Sequence, residues 1–132
     1  MGVFWTVWPL DEDVRRWLTE IQVPFPDQVS RFPVGGEIKR ALTDLPGYQV
    51  EITDNGIGAS WQALITSESG ADEGPWTLLN VSEYTGDELP QKLWFEKGWE
   101  SLITTILERL VPACGPLVLI PDTGGTPTVI SP

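Results

Sequence analysis

Tyr48-Gln49-Val50-Glu51-Ile52-Thr53 reads as a β-strand, because Tyr48, Val50 and Ile52 alternate with Gln49, Glu51 and Thr53. That period of two puts the apolar side chains on one side of a pleated strand. Asp54-Asn55-Gly56 then supplies a turn. Trp61, Ala63 and Ile65 repeat the alternation against Ser60, Gln62 and the less polar Leu64. After the loop Glu68–Pro75, Trp76–Val81 reads as a third, less regular strand. Three such strands in succession form an antiparallel meander with one wet face.

The flanking segments extend this core. Upstream, Val3–Trp8 is β-branched and aromatic, a strand expected to stop at Pro9. Asp11 is a good N-cap, with Glu12 and Asp13 at the positive end of the helix dipole, and Val14, Trp17, Leu18 and Ile21 share one helical face. Val23–Pro33 is a proline-punctuated loop, and a second helix follows with Ile38, Ala41, Leu42 and Leu45 on one side, ended by Pro46-Gly47. Downstream, Lys92–Phe95 is a short candidate fourth strand of this region after the loose loop Gly86–Pro90. Trp99, Leu102, Ile103, Ile106, Leu107 and Leu110 make a continuous helical stripe, with Pro112 and Gly115-Pro116 expected to end it. Leu117–Ile120 is uniformly apolar, as a strand covered on both faces is, and Thr128–Ile130 returns as an edge strand after the turn Pro121–Pro127. The order is β-α-α-β-β-β-(β)-α-β-β. It predicts an α+β two-layer sandwich, one domain over residues 1–132, with a mixed, mostly antiparallel sheet and helices on one face.

Composition bounds the function. The 132 residues carry 19 acids against 8 bases, a net charge of −11, which argues against nucleic acid or an anionic membrane surface as partner. The apolar fraction of 41% is that of a folded chain, not a disordered one. There is no histidine, so no Ser-His-Asp or Cys-His pair and no imidazole acid or base exists. The lone Cys114 supplies neither an internal disulfide nor a CxxC motif, and at a helix end it reads as a small buried apolar residue. Met1–Leu10 has no basic residue and does not read as a signal peptide, and Leu117–Ile120 is too short to span a bilayer. A soluble cytoplasmic protein is the expectation.

Several short motifs invite chemistry and give way to simpler readings. Asp122-Thr123-Gly124 resembles the Asp-Thr-Gly of aspartic proteases, yet Pro121 precedes it and eight residues follow, so it reads as a turn between two strands. The element order resembles the N-terminal part of the acetyltransferase fold, which implies acyl-CoA binding at a glycine-rich turn before the third helix. Phe95-Glu96-Lys97-Gly98-Trp99-Glu100 has one glycine there between acids, and Gly56-Ile57-Gly58 sits beside Asp54, which repels phosphate. Asp11-Glu12-Asp13, Asp72-Glu73 and Asp87-Glu88 lack calcium-loop spacing and read as a helix start and solvated loops, so no metal site and no cofactor is expected. Lys97 between Glu96 and Glu100 reads as a surface pair.

Two features point to binding. All 8 bases lie within 15–40 or 92–109, whereas 41–91 holds Asp44, Glu51, Asp54, Glu68, Asp72, Glu73, Glu83, Asp87 and Glu88 and no base. The meander and its loops therefore carry a negative field suited to a basic partner. Of the 7 tryptophans, Trp17, Trp61 and Trp99 fall on apolar phases and read as core, while Trp5, Trp8, Trp76 and Trp94 remain open to an interface or to sugar stacking.

Val7-Trp8-Pro9-Leu10-Asp11-Glu12-Asp13-Val14-Arg15 with Leu45-Pro46-Gly47-Tyr48, and Leu93–Gly98 through Cys114-Gly115-Pro116-Leu117-Val118-Leu119-Ile120-Pro121-Asp122-Thr123-Gly124, resemble small uncharacterised bacterial proteins. A few of those are similar to immunity proteins that neutralise secreted toxins. The resemblance implies a compact, acidic, non-enzymatic binding protein. The expected function is thus a protein-binding domain, docking a basic partner such as a toxin through Glu51, Asp54, Asp72, Glu73, Asp87 and Glu88 with Trp76 as aromatic anchor. The alternatives are a degenerate acyl-CoA-dependent transferase and a small-ligand or carbohydrate-binding domain.

Overall fold

The computed structural model describes residues 4–68 and 74–132. In chain order the elements are β1 (Phe4–Pro9), α1 (Glu12–Glu20), α2 (Gly35–Leu42), β2 (Tyr48–Asp54), β3 (Trp61–Ser67), β4 (Trp76–Val81), β5 (Trp94–Glu96), α3 (Glu100–Cys114), β6 (Leu117–Pro121) and β7 (Thr128–Ile130). The strands form one sheet in the order β2-β3-β4-β5-β1-β6-β7, and every strand pairing is antiparallel. The α+β class, the element order and the antiparallel meander expected from the sequence are present.

β5 is only three residues long, yet it joins the two halves of the sheet. Leu79 and Trp5 both face Phe95 across it, one from β4 and one from β1. Because paired residues share a face, the registers sort the side chains across the whole sheet. Val7, Leu119, Phe95, Leu79, Ala63 and Ile65 lie on one face, fully buried against Ile38, Ala41 and Leu42 of α2 and Ile103, Ile106, Leu107 and Leu110 of α3. Burying each of these large aliphatic side chains contributes about 1.5–3 kcal/mol.

β6 is apolar on both phases, so it needs cover on both faces. α1 provides the second cover, and the helices divide two to one between the faces instead of sharing one. Leu18, Val14 and Trp17 of α1 pack with Leu10, Val118, Ile120 and Val129 in a separate small cluster. The cap of α1 is as the sequence implies: Asp11 Oδ1 accepts from the Val14 N–H at 2.8 Å. Ile21, expected on the apolar stripe, falls past the helix end and is exposed.

Three other details depart from expectation. Trp99, expected in the core stripe, precedes the first turn of α3 and is 53% exposed. Pro112 does not end α3, which continues to Cys114 and closes with the Gly115 N–H on Val111 O at 2.9 Å. Burial of Val111 and Cys114 on either side offsets the one hydrogen bond that Pro112 forfeits in an exposed last turn. Pro9 lies inside β1, paired with Leu117, instead of stopping the strand before it.

Gly98 fixes the junction of β5 and α3. Its φ is +101°, and a Cβ there would sit 2.3 Å from Trp76 O and 2.5 Å from Thr77 Cβ. The contact is locked by Thr77 Oγ1 donating to Lys97 O at 2.9 Å and by the Trp99 N–H donating to Trp76 O at 3.2 Å. The glycine that fails as a pyrophosphate loop is therefore a close-approach residue.

Candidate functional site

α2 and α3 cover one face of the sheet and α1 covers only the β6–β7 end of the other. Among the described residues no helix covers the second face over β2, β3, β4 and β5. Registers place one row of side chains straight across it: Glu51 opposite Leu64, Leu64 opposite Leu78, Leu78 opposite Glu96, and Glu96 opposite Phe4. Leu64, Leu78 and Glu96 are half-buried, and Glu51 and Phe4 are exposed. An apolar pair is thus bracketed by two carboxylates three strand spacings apart, about 14 Å. Trp76 lies on the same face, two residues before Leu78 and opposite Thr66, and is half-buried.

The adjoining row is more polar and internally paired. Gln62 Nε2 donates to Asn80 Oδ1 at 2.8 Å, and Trp94 Nε1 donates to Ser82 Oγ at 3.2 Å. Trp94 also packs on Phe4 with ring centres 5.5 Å apart. Lys92 and Lys97 flank β5 at its two ends. Two open clefts border this row. One of about 350 Å³ is lined by Trp8, Asp13, Val14, Trp17 and Ile120, and one of about 520 Å³ by Glu83, Thr85, Gln91, Lys92 and Trp94.

The structure separates the acids that the sequence groups together. Glu51 and Trp76 share the open face. Asp54 closes the hairpin turn, its Oδ1 accepting from the Gly56 N–H at 2.9 Å. Asp87 turns toward α2, on the other side of the sheet: Lys39 Nζ donates to its Oδ1 at 2.7 Å, and the Tyr84 hydroxyl donates to the same oxygen. These two hydrogen bonds, the Lys39 one first, hold the Asp87 carboxyl below the usual carboxylate range. Glu88 is exposed in the same loop. Asp72 and Glu73 lie outside the described residues. Glu51, Glu68, Glu83 and Glu88 form no ion pair among the described residues.

The bases outside the acidic segment are largely engaged in structure. Arg31 binds Glu37 through both nitrogens, Nη1 to Oε1 at 2.7 Å and Nη2 to Oε2 at 2.9 Å. Glu37 also accepts from the Val34 N–H at 2.9 Å, so it satisfies the start of α2, where Val34 offers no side-chain cap. The Arg31 hydrogen bonds draw the Glu37 carboxyl below its ordinary range despite burial. Arg109 donates to Ala41 O and Thr43 O at 2.7 and 2.9 Å, capping the end of α2. Cys114 is buried, and desolvation pushes its thiol up to about 11.

Glu96, Leu64, Leu78 and Phe4 are the members of the open face that sequence reasoning missed as a group. One signal was present: Leu64 breaks the alternation of β3 with an apolar residue on its wet side. Glu96 joins Glu51 only through the β4–β5 register, a pairing 18 residues apart at Leu78 and Glu96 with an irregular loop between. Comparison with known proteins finds no matching family, curated protein or solved structure.

Proposed function

We propose that the protein is a non-catalytic binding domain that docks a basic protein on the uncovered face of β2–β5. The row Glu51–Leu64–Leu78–Glu96 carries the proposal. Apolar side chains flanked by carboxylates that form no ion pair among the described residues give a partner both buried area and charge selection, and Trp76 beside them offers an aromatic anchor. The net charge of −11 adds long-range attraction, which raises the association rate of a cationic partner. A secreted toxin neutralised by this domain is the concrete version we favour, from the resemblance of the segments quoted above to small bacterial proteins, a few of them similar to immunity proteins.

A phage-displayed library of random peptides tests the reading. Peptides retained by the protein are expected to carry net positive charge with interleaved apolar residues. Reversing Glu51 and Glu96 together to lysine is expected to slow their association roughly tenfold or more at low salt, with the gap closing near 0.5 M salt. Enrichment of neutral or acidic peptides, or equal association with the reversed protein, overturns the docking role.

A further inference from the structure

β2 is the outermost strand of the sheet, and its seven residues contain no proline, lysine or arginine. It pairs residue for residue with β3 from Tyr48↔Ser67 to Asp54↔Trp61, without a bulge. Two bonds bracket that ladder: the Asn55 N–H to Ser60 O at 3.2 Å and the Glu68 N–H to Gly47 O at 3.0 Å. Hydrogen-bonded pairs alternate along an antiparallel ladder, so Gln49, Glu51 and Thr53 bond to β3 and Val50 and Ile52 point their N–H and C=O groups at the open edge. Among the described residues nothing bonds to those groups. The side chains sort by the same parity. Val50 packs partly on the core, Ile52 is 49% exposed beside it, and Glu51 stands on the opposite, uncovered face.

Exposed edges are ordinarily blunted by a bulge, a proline, a lysine or a covering element. β2 has none of these among the described residues, and its only charges are Glu51 and Asp54. We infer that β2 accepts an extended segment of the basic partner as an eighth antiparallel strand. Lysine or arginine of that segment flanks Glu51 on the open face, while alternate apolar residues cover Val50 and Ile52 on the other. The inference rests on the docking function proposed above and specifies its geometry. A second copy of this chain is the wrong occupant: two β2 strands paired about a two-fold axis put both Glu51 side chains on one face with no base on either strand.

The probe is an end-capped seven-residue peptide alternating lysine and valine, in three forms: unmodified, N-methylated at the valines, and N-methylated at the lysines. When valines lie opposite Val50 and Ile52, the valine N–H groups bond to β2 and the lysine N–H groups face away. The unmodified and lysine-methylated peptides are expected to bind, and the valine-methylated one about tenfold or more weaker. Amide exchange at Val50 and Ile52 should slow when the unmodified peptide is added, and the Ile52→Pro variant, which loses an outward N–H without touching the β3 ladder, should bind it more weakly. Equal binding of both methylated peptides with unchanged exchange at Val50 and Ile52 overturns the strand addition while leaving the docking face standing. Protection of those amides without peptide, accompanied by concentration-dependent sedimentation, makes a second copy the occupant and also overturns it. Library selection that yields no basic peptides removes the docking reading itself, and strand addition with it.

Discussion

The Lys39 ammonium lies 2.7 Å from the Asp87 carboxylate, a contact that joins a base outside the base-free stretch 41–91 to an acid inside it. Lys39 also sits over the Tyr84 ring, 4.9 Å from its centre, and the Tyr84 hydroxyl donates to Asp87 as well. Asp87 is therefore a fastener between the loop after β4 and α2, with its charge already matched. Asp87→Asn is expected to lower the melting temperature and speed amide exchange at Gly36, whose N–H donates to Asp87 O. The same change should alter the association rate of basic peptides less than Glu51→Gln does, although both remove one negative charge. Stopped-flow rates at low salt compare the two directly.

Glu37 ties Arg31 to the first turn of α2 through three hydrogen bonds at 2.7–2.9 Å. Removing its carboxylate in Glu37→Ala is expected to cost about 1–2 kcal/mol, discounted because Arg31 is half-exposed. The pH dependence follows from the sign of the shift. The folded protein holds the Glu37 carboxyl below its unfolded range, so this stabilisation is complete above the ordinary carboxylate pKa and is lost as pH falls through the lower, folded value. Urea midpoints measured from pH 7 down to pH 3 should fall less steeply for Glu37→Gln than for the natural protein.

Gly98 and Gly124 both have positive φ, +101° and +81°, but only Gly98 has backbone against it. Gly124→Ala meets open space and is expected to cost about 1 kcal/mol of backbone strain. Gly98→Ala adds a clash with Trp76 O and should cost about 3 kcal/mol or more, because the obstructing atom is main chain on a paired strand. Denaturant unfolding of the two variants separates strain from crowding.

Cys114 is buried at the end of α3, and desolvation raises its thiol to about 11. At pH 8 a thiolate is the reactive form, so modification by a disulfide reagent is expected to run about a hundredfold slower than for an unfolded control. Full-rate labelling of the folded protein would show the thiol exposed.

Much of the architecture was legible because periodicity was strong. The alternation at Tyr48–Ile65, the stripe Leu102–Leu110 and the two-phase apolar run Leu117–Ile120 each encode burial in local spacing. Local spacing says nothing of which strands become neighbours. The placing of Trp94–Glu96 between β4 and β1 depends on pairings made across a long loop, and so does the row that unites Glu51 with Glu96. Asp87 shows the complementary limit: its acidic neighbourhood in sequence gave no sign that a lysine 48 residues away would match it. Pro112 and Trp99 misled for another reason, since breaker and amphipathic rules describe averages that flanking burial overrides at a helix end.

The three-residue strand β5 also sets the order in which the chain is able to assemble. Strands 48–81 pair with their sequence neighbours and close short loops, whereas Phe4 finds its partner only at Glu96 and Thr6 at Trp94 and Ile120. During synthesis β1 therefore waits, largely apolar and unpaired, until β5 has emerged about ninety residues later. Loop closure over about ninety residues is the late, entropically costly step. The meander is therefore expected to form before β1 is captured, and variants that loosen β5 should register first as slower refolding.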